Sequence, residues 1–217
     1  MTQEHEVYPV TIKGDLSSPP ARGWWLIKWL LAIPHVVVLC FLWIGFVFSW
    51  IISFFSILFT EKYPRSLFDY NVGVLRWTWR VAFYAYDVLG TDKYPPFSLQ
   101  PADYPADVEV EYPEKLSRGL VLVKWWLLAI PHYMIVSIFE GFYRYSYTVS
   151  QTGTKTDSGV GLIGVMVIIS AVALLFTGKY PQSLFKLVMG MNRWSIRVCA
   201  YAALMTDKYP PFRLWDD

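Results

Sequence analysis

Two histidines, a carboxylate and two arginine pairs are the side chains whose types and spacing suggest chemistry. His35 and His132 each follow Ile-Pro in matching contexts. A matched imidazole pair could serve as axial ligands to a haem or as a metal pair. No cysteine or carboxylate stands at ligand spacing from either, and no haem-attachment motif accompanies them. The plainer reading is that each satisfies backbone freed by its proline. Glu140 lies in an apolar stretch with Arg144 four residues on, which predicts an ion pair on one helical face, with a proton or ion site as the alternative. Arg76 with Arg80, and Arg193 with Arg197, are one helical turn apart. A guanidinium offers paired donors to phosphate oxygens, so these four are the candidate contacts to a lipid headgroup or a partner. In the plainer reading they meet headgroup or backbone oxygens nonspecifically. Lys28 and Lys124 join them as cations that can snorkel from the ends of apolar helices. No nucleophile elbow, phosphate-binding loop, dinucleotide fingerprint or zinc-protease pattern occurs, so no catalytic residue, metal or organic cofactor is assigned.

The elements that must position these residues are dominated by Gly23 to Phe59, whose only formally charged member is Lys28. One straight helix of that run would reach about 55 Å, beyond the roughly 30 Å of a hydrocarbon core. A hairpin turning near Leu42 to Gly45 is the expectation, giving two short membrane helices. The composition agrees: 55% hydrophobic, 18% aromatic, 17% charged, with Trp and Tyr suited to the headgroup level. A net charge of +2 gives no basis for nucleic-acid binding. Cys40 and Cys199 lie far apart in apolar context and read as small hydrophobes. The polar start has no basic segment leading into an apolar core, so no cleavable signal peptide is expected.

Much of the chain is written twice. Lys28-Trp-Leu-Leu-Ala-Ile-Pro-His35 is answered by Lys124 to His132 with one extra residue, and Leu58 to Phe68 by Leu175 to Phe185. Arg76-Trp77 and Arg80-Val81 return as Arg193-Trp194 and Arg197-Val198, and Thr91 to Phe97 is identical to Thr206 to Phe212. This reads as a tandem duplication, with a first repeat over 1–99 and a second over 100–217. Twenty additional residues separate Pro131 from Phe176, compared with Pro34 and Phe59. They include a polar piece, Gln151 to Ser158, too polar for hydrocarbon. Inserted at a hairpin tip they preserve topology, whereas inside a straight helix they would reverse it, which favours the hairpin. Four crossings with both termini cytoplasmic leave only Arg144 and Lys155 of the 19 basic residues near the outer side.

The arginine segments carry Leu67, Tyr70, Val74, Trp77, Val81, Tyr84 and Val88 at three- and four-residue spacing, so they read as amphipathic helices lying in the cytoplasmic interface. Alternating runs Tyr8 to Lys13 and Val108 to Pro113 are strand candidates that could pair. The two Tyr-Pro-Pro-Phe segments read as rigid closures docking an aromatic back on the domain.

The repeated motifs Lys-Trp-Leu-Leu-Ala-Ile-Pro-His, Leu-Phe-Thr-Gly-Lys-Tyr-Pro, Arg-Trp…Arg-Val and Thr-Asp-Lys-Tyr-Pro-Pro-Phe make nearly the whole chain resemble the bacterial membrane-protein family called domain of unknown function 4389. The resemblance implies an inner-membrane protein and carries no catalytic or binding residues across. The expectation is a mainly α-helical, multi-pass integral membrane protein of two tandem units. Each unit has a transmembrane hairpin, an interfacial amphipathic helix and short extramembrane strands. Its expected role is a non-enzymatic scaffold or accessory subunit, bound to phospholipid and to a partner membrane protein or its own copies. A small transporter or channel is the alternative, using His35, His132, Glu140 and Arg144. A lipid-modifying enzyme ranks lower, because Asp69 and Asp87 become Lys186 and Leu204 in the second copy.

Overall fold

The structure, a computed structural model, describes residues 8–16, 20–141, 144–149 and 153–215, with backbone alone for 144–149 and 153–158. In chain order these form β1 (Val10–Gly14), α1 (Trp25–Leu31), α2 (Ile33–Thr60), α3 (Arg65–Ala85), β2 (Ala106–Val110) and α4 (Arg118–Val123). A π-helical turn over Lys124–Leu128 leads to α5 (Ile130–Glu140), β3 (Arg144–Val149), β4 (Gly153–Ser158), α6 (Leu162–Thr177) and α7 (Gln182–Ala202). β1 and β2 pair antiparallel, with Ile12 opposite Val108. Their inward side chains, Val10, Ile12, Ala106 and Val108, are buried, as period-2 alternation requires of a ribbon with one face on the core. β2 packs on α3 and β1 on α7, so the ribbon ties the two halves together.

Three features overturn the expected architecture. First, α2 is one unbroken helix of 28 residues with no turn at Leu42 to Gly45. Proline sits in its first turn, where a missing N–H costs no hydrogen bond, and the chain breaks at Ala32 instead. Second, the twenty-residue insertion neither caps a hairpin of helices nor reverses the chain. β3 and β4 pair from Arg144 opposite Ser158 to Val149 opposite Gly153, so the chain leaves and returns at one place. The ends meet backbone to backbone: a Cβ on Gly141 would collide with the backbone N of Gly161. At φ +79° Gly141 is left-handed, a conformation that glycine adopts without penalty. α5 and α6 therefore take up together the span that α2 covers alone. Third, the arginine helices do not lie in an interface. Asn71 to Trp77 are buried without interruption, as are Val188 to Asn192. Seven consecutive residues cover every side of a helix, so α3 is packed all round.

Among the described residues α2 is the one helix long and apolar enough to cross a membrane, by length and composition only. Arg118–Leu128 with Ile130–Glu140 passes the same test as a pair but is bent by 44° at its break, and α6 is shorter. Four crossings are not present among the described residues. The multi-pass inner-membrane localisation and the scaffold built on two transmembrane hairpins fall with them. Buried ion pairs organise the fold instead. Lys28 Nζ meets Asp92 at 2.7 Å, Lys124 Nζ meets Asp207 at 2.7 Å, and Arg76 and Arg80 converge on Asp107 at 2.7 and 3.3 Å.

Candidate functional site

The halves meet reciprocally at their Tyr-Pro turns: Tyr180 Oη donates to Val88 O at 2.7 Å and Tyr63 Oη reaches Ala203 O at 3.5 Å. Between them lie two adjoining cavities of about 550 and 340 Å³ that share Val136, Ser195 and Cys199 on their walls. The larger is lined by Phe46 and Trp50 of α2, Tyr133 and Val136 of α5, and Val198 and Ala202 of α7. Trp50 fixes that wall by donating its indole N–H to Ala202 O at 3.1 Å. The smaller runs between Trp43, Thr78 and Trp79 on one side and Asn192, Ser195 and Ile196 on the other, and Asp87 and Glu140 are the formally charged residues lining it.

The two carboxylates set the chemistry of this cleft. Burial, then the neighbouring charge of Glu140, pushes Asp87 up to about 7. Burial also raises Glu140, while the hydroxyl of Ser195, which donates to Oε1 at 2.8 Å, works against it. An apolar cleft holding two reluctant carboxylates favours whatever neutralises them: a proton, or a cation with an apolar body. Cys199 faces the same space with its thiol pushed up to about 11 by burial, which favours the un-ionised thiol on this wall.

Of the candidate polar-site residues Glu140 lines this cleft, and Asp87 and Cys199, also noted in the sequence, line it too. Glu140 engages Ser195, and the side chain of Arg144, its expected partner, lies outside the described residues. His35 and His132 are fully buried in two separate, matching aromatic boxes. Trp77 donates to His35 Nδ1 at 3.0 Å and Trp194 to His132 Nδ1 at 2.9 Å. Phe97 stacks on His35 at 3.9 Å and Phe212 on His132 at 4.3 Å, so the Tyr-Pro-Pro-Phe closures dock on histidine. Nδ1 accepts and is therefore the unprotonated nitrogen. Among the described residues no group of three or more His, Cys, Asp or Glu could hold a metal ion.

The cations are engaged inside the chain. Lys28 Nζ donates to Thr91 O and Lys124 Nζ to Thr206 O. The paired aspartates reach on to accept from the backbone N–H of Ala21 and Ser117, both at 2.6 Å. Each Thr-Asp-Lys segment thus pins the entrance of its own apolar helix. Arg76 Nη1 also donates to Leu99 O, and Arg80 Nη1 to Ser98 O and Gln100 O. Arg193 Nη1 reaches Leu214 O at 3.4 Å, and Arg197 lies over the Tyr8 ring at 5.2 Å. The contacts of Arg76, Arg80 and Arg193 bind their helices to the segments that follow, and that of Arg197 binds α7 to the segment before β1.

Sequence reasoning considered Asp87 only as an unmatched acid, and it missed Ser195 and Asn192 altogether. A signal was available in the paired motifs. Trp43 Nε1 donates to Thr78 Oγ1 at 3.2 Å in the first half, and Glu140 and Ser195 fill the matching positions in the second. A tryptophan–threonine contact in one half set against glutamate–serine in the other, on a shared cavity, marks one place where the halves differ in chemistry.

No curated protein and no solved structure matches this chain. The family model described as Domain of unknown function (DUF4389) matches residues 23–98 and 160–213, more than half of the chain. The protein belongs to that family.

Proposed function

We propose that this protein binds an amphiphile with an apolar body and a protonated amine head, seated in the cleft between its two halves. The observation that carries the reading is the pairing of Asp87 and Glu140 at one end of a cleft whose walls are otherwise dominated by Phe46, Trp43, Trp50, Val136 and Val198. An amine neutralises the carboxylates that burial leaves uncomfortable, while the apolar wall gains from covering a hydrocarbon chain. Phospholipid remains a ligand of this class only where its headgroup carries an amine. The two halves are read as copies of one unit, made unequal by the Glu140–Ser195 exchange and by the β3–β4 insertion.

The test is equilibrium binding of a long-chain alkylamine and of the alcohol of equal chain length. The amine is expected to bind at least tenfold more tightly, and Asp87→Asn/Glu140→Gln is expected to abolish that preference while alcohol binding persists. Equal affinity for both heads in the wild-type protein would refute the reading. Ethanolamine phospholipid against glycerol phospholipid gives the corresponding comparison for a two-chain ligand.

A separate observation supports self-association. Phe41, Ile44, Phe48, Ile51 and Phe55 are all exposed on α2 and recur at alternating three- and four-residue spacing, the pattern of a helix seam that packs on another helix. A second copy of α2 is the proposed occupant.

A further inference from the structure

Ser49, Ser53, Tyr63 and Asn71 form a buried polar cluster in the first half, each at most 3% exposed. Asn71 Nδ2 donates to Tyr63 Oη at 2.7 Å, which leaves the amide oxygen Oδ1 with no hydrogen-bond partner among the described residues. The hydroxyls of Ser49 and Ser53 lie close enough to the Tyr63 hydroxyl to work against the rise that burial causes in its pKa, yet neither Oγ reaches a partner in full hydrogen-bond geometry among the described residues. A helical serine ordinarily turns its hydroxyl back onto the carbonyl one turn earlier. Ser170, the counterpart of Ser53, does so, donating to Met166 O at 2.8 Å. Ser49 and Ser53 forgo that bond.

The second half provides an internal control. Tyr180 and Ser170 repeat Tyr63 and Ser53, but Met166 stands where Ser49 stands and Val188 where Asn71 stands. The first half thus sets two serine hydroxyls and an unpartnered amide oxygen around Tyr63, where the second half has a thioether and a methyl pair beside Tyr180 and Ser170. Buried polar atoms are rarely left without partners, and a water molecule needs two to four of them.

We propose that the first half holds one ordered internal water, accepting from Ser49 or Ser53 and donating to Asn71 Oδ1, and that the second half holds none. The water would tie α2 to α3 beside the wall of the cleft, since Tyr63 Oη also reaches Ala203 O, and Ala203 lines the larger cavity. It does not depend on what the cleft binds.

The experiment is an electron-density map of the full chain at a resolution where waters are ordered. Compact density within hydrogen-bond distance of Asn71 Oδ1 and of Ser49 or Ser53 Oγ is expected, with none beside Tyr180 and Ser170. Two serine hydroxyls rotated onto the carbonyls of Gly45 and Ser49, with no density between them and Asn71, would overturn the proposal. A second variant keeps it falsifiable. Ser49→Met/Asn71→Val, which copies the residues of the second half, is expected to fold and to lose the density; density retained in that variant would equally count against it.

Discussion

Ser195 donates its hydroxyl to Glu140 at 2.8 Å, in the position where the first half joins Trp43 to Thr78. A carboxylate stands on the wall of a cavity where the first half has an indole, and Asp87 lines the same cavity. Neither α2 nor α3 presents a titratable side chain there, and α7 presents only the thiol of Cys199. The acid pair is therefore answered by burial and by one hydroxyl among the described side chains.

That arrangement makes stability pH-dependent with a definite sign. The folded state holds the Asp87 proton up to about 7, against 3.8 for the free side chain. Between those values the native chain binds a proton that the unfolded chain releases, so stability falls as pH rises through this window and levels off above it. Thermal melts from pH 4 upward (about the lower end of the window) should show the fall. Asp87→Asn should flatten it; a slope unchanged in that variant would show that another group titrates.

The buried lysines predict a thermodynamic cycle. Asp92→Ala leaves Lys28 as an uncompensated buried cation and should cost about 3 kcal/mol, whereas Lys28→Met/Asp92→Asn should cost markedly less. Chemical denaturation of the two variants and the wild type checks this. Equal losses in both would show that the stranded charge of Lys28 adds nothing to the cost.

Asp107 should be the more costly aspartate. It serves Arg76 and Arg80 together, and both guanidiniums are buried. Asp107→Ala is expected to destabilise by about 3–5 kcal/mol, more than Asp92→Ala measured in the same denaturant series. A loss below 1 kcal/mol (about that of an exposed pair) would mean that the carbonyls of Leu99, Ser98 and Gln100 suffice for the arginines.

The insertion should be removable. Deleting residues 142–161 joins Gly141 directly to Leu162, restoring the residue count of α2 between Ile130 and Thr177. The shortened chain should fold with a higher helical fraction by circular dichroism and a single cooperative melt. Loss of the melt would show that β3 and β4 do more than leave and rejoin a helix.

Much of this arrangement was legible in the sequence as pairing, and little of it as environment. The repeated Lys, His and Thr-Asp-Lys positions stand in matching contacts because equal neighbours produce equal local geometry, whereas Arg80 and Arg197 meet different partners. The two strand segments were legible from alternation. The long-range partners were not: Asp107 lies on a strand 31 residues from Arg76, and no helical spacing rule connects them. An arginine on an otherwise apolar helix therefore looked like a surface residue. The hairpin expected at Leu42 to Gly45 failed because an insertion was assumed to need a chain reversal. A β-ribbon whose ends meet at Gly141 and Gly161 removes that need. The cleft was hidden because its two carboxylates come from different halves and share no local spacing.

The most direct test of the cleft's role is calorimetric titration of a long-chain alkylamine at neutral pH in two buffers of different ionisation heat. If Asp87 and Glu140 exchange a proton for the ammonium group, the wild-type protein releases protons on binding, and Asp87→Asn/Glu140→Gln releases none. Alkylamine binding in the wild type with identical heats in both buffers would contradict the account.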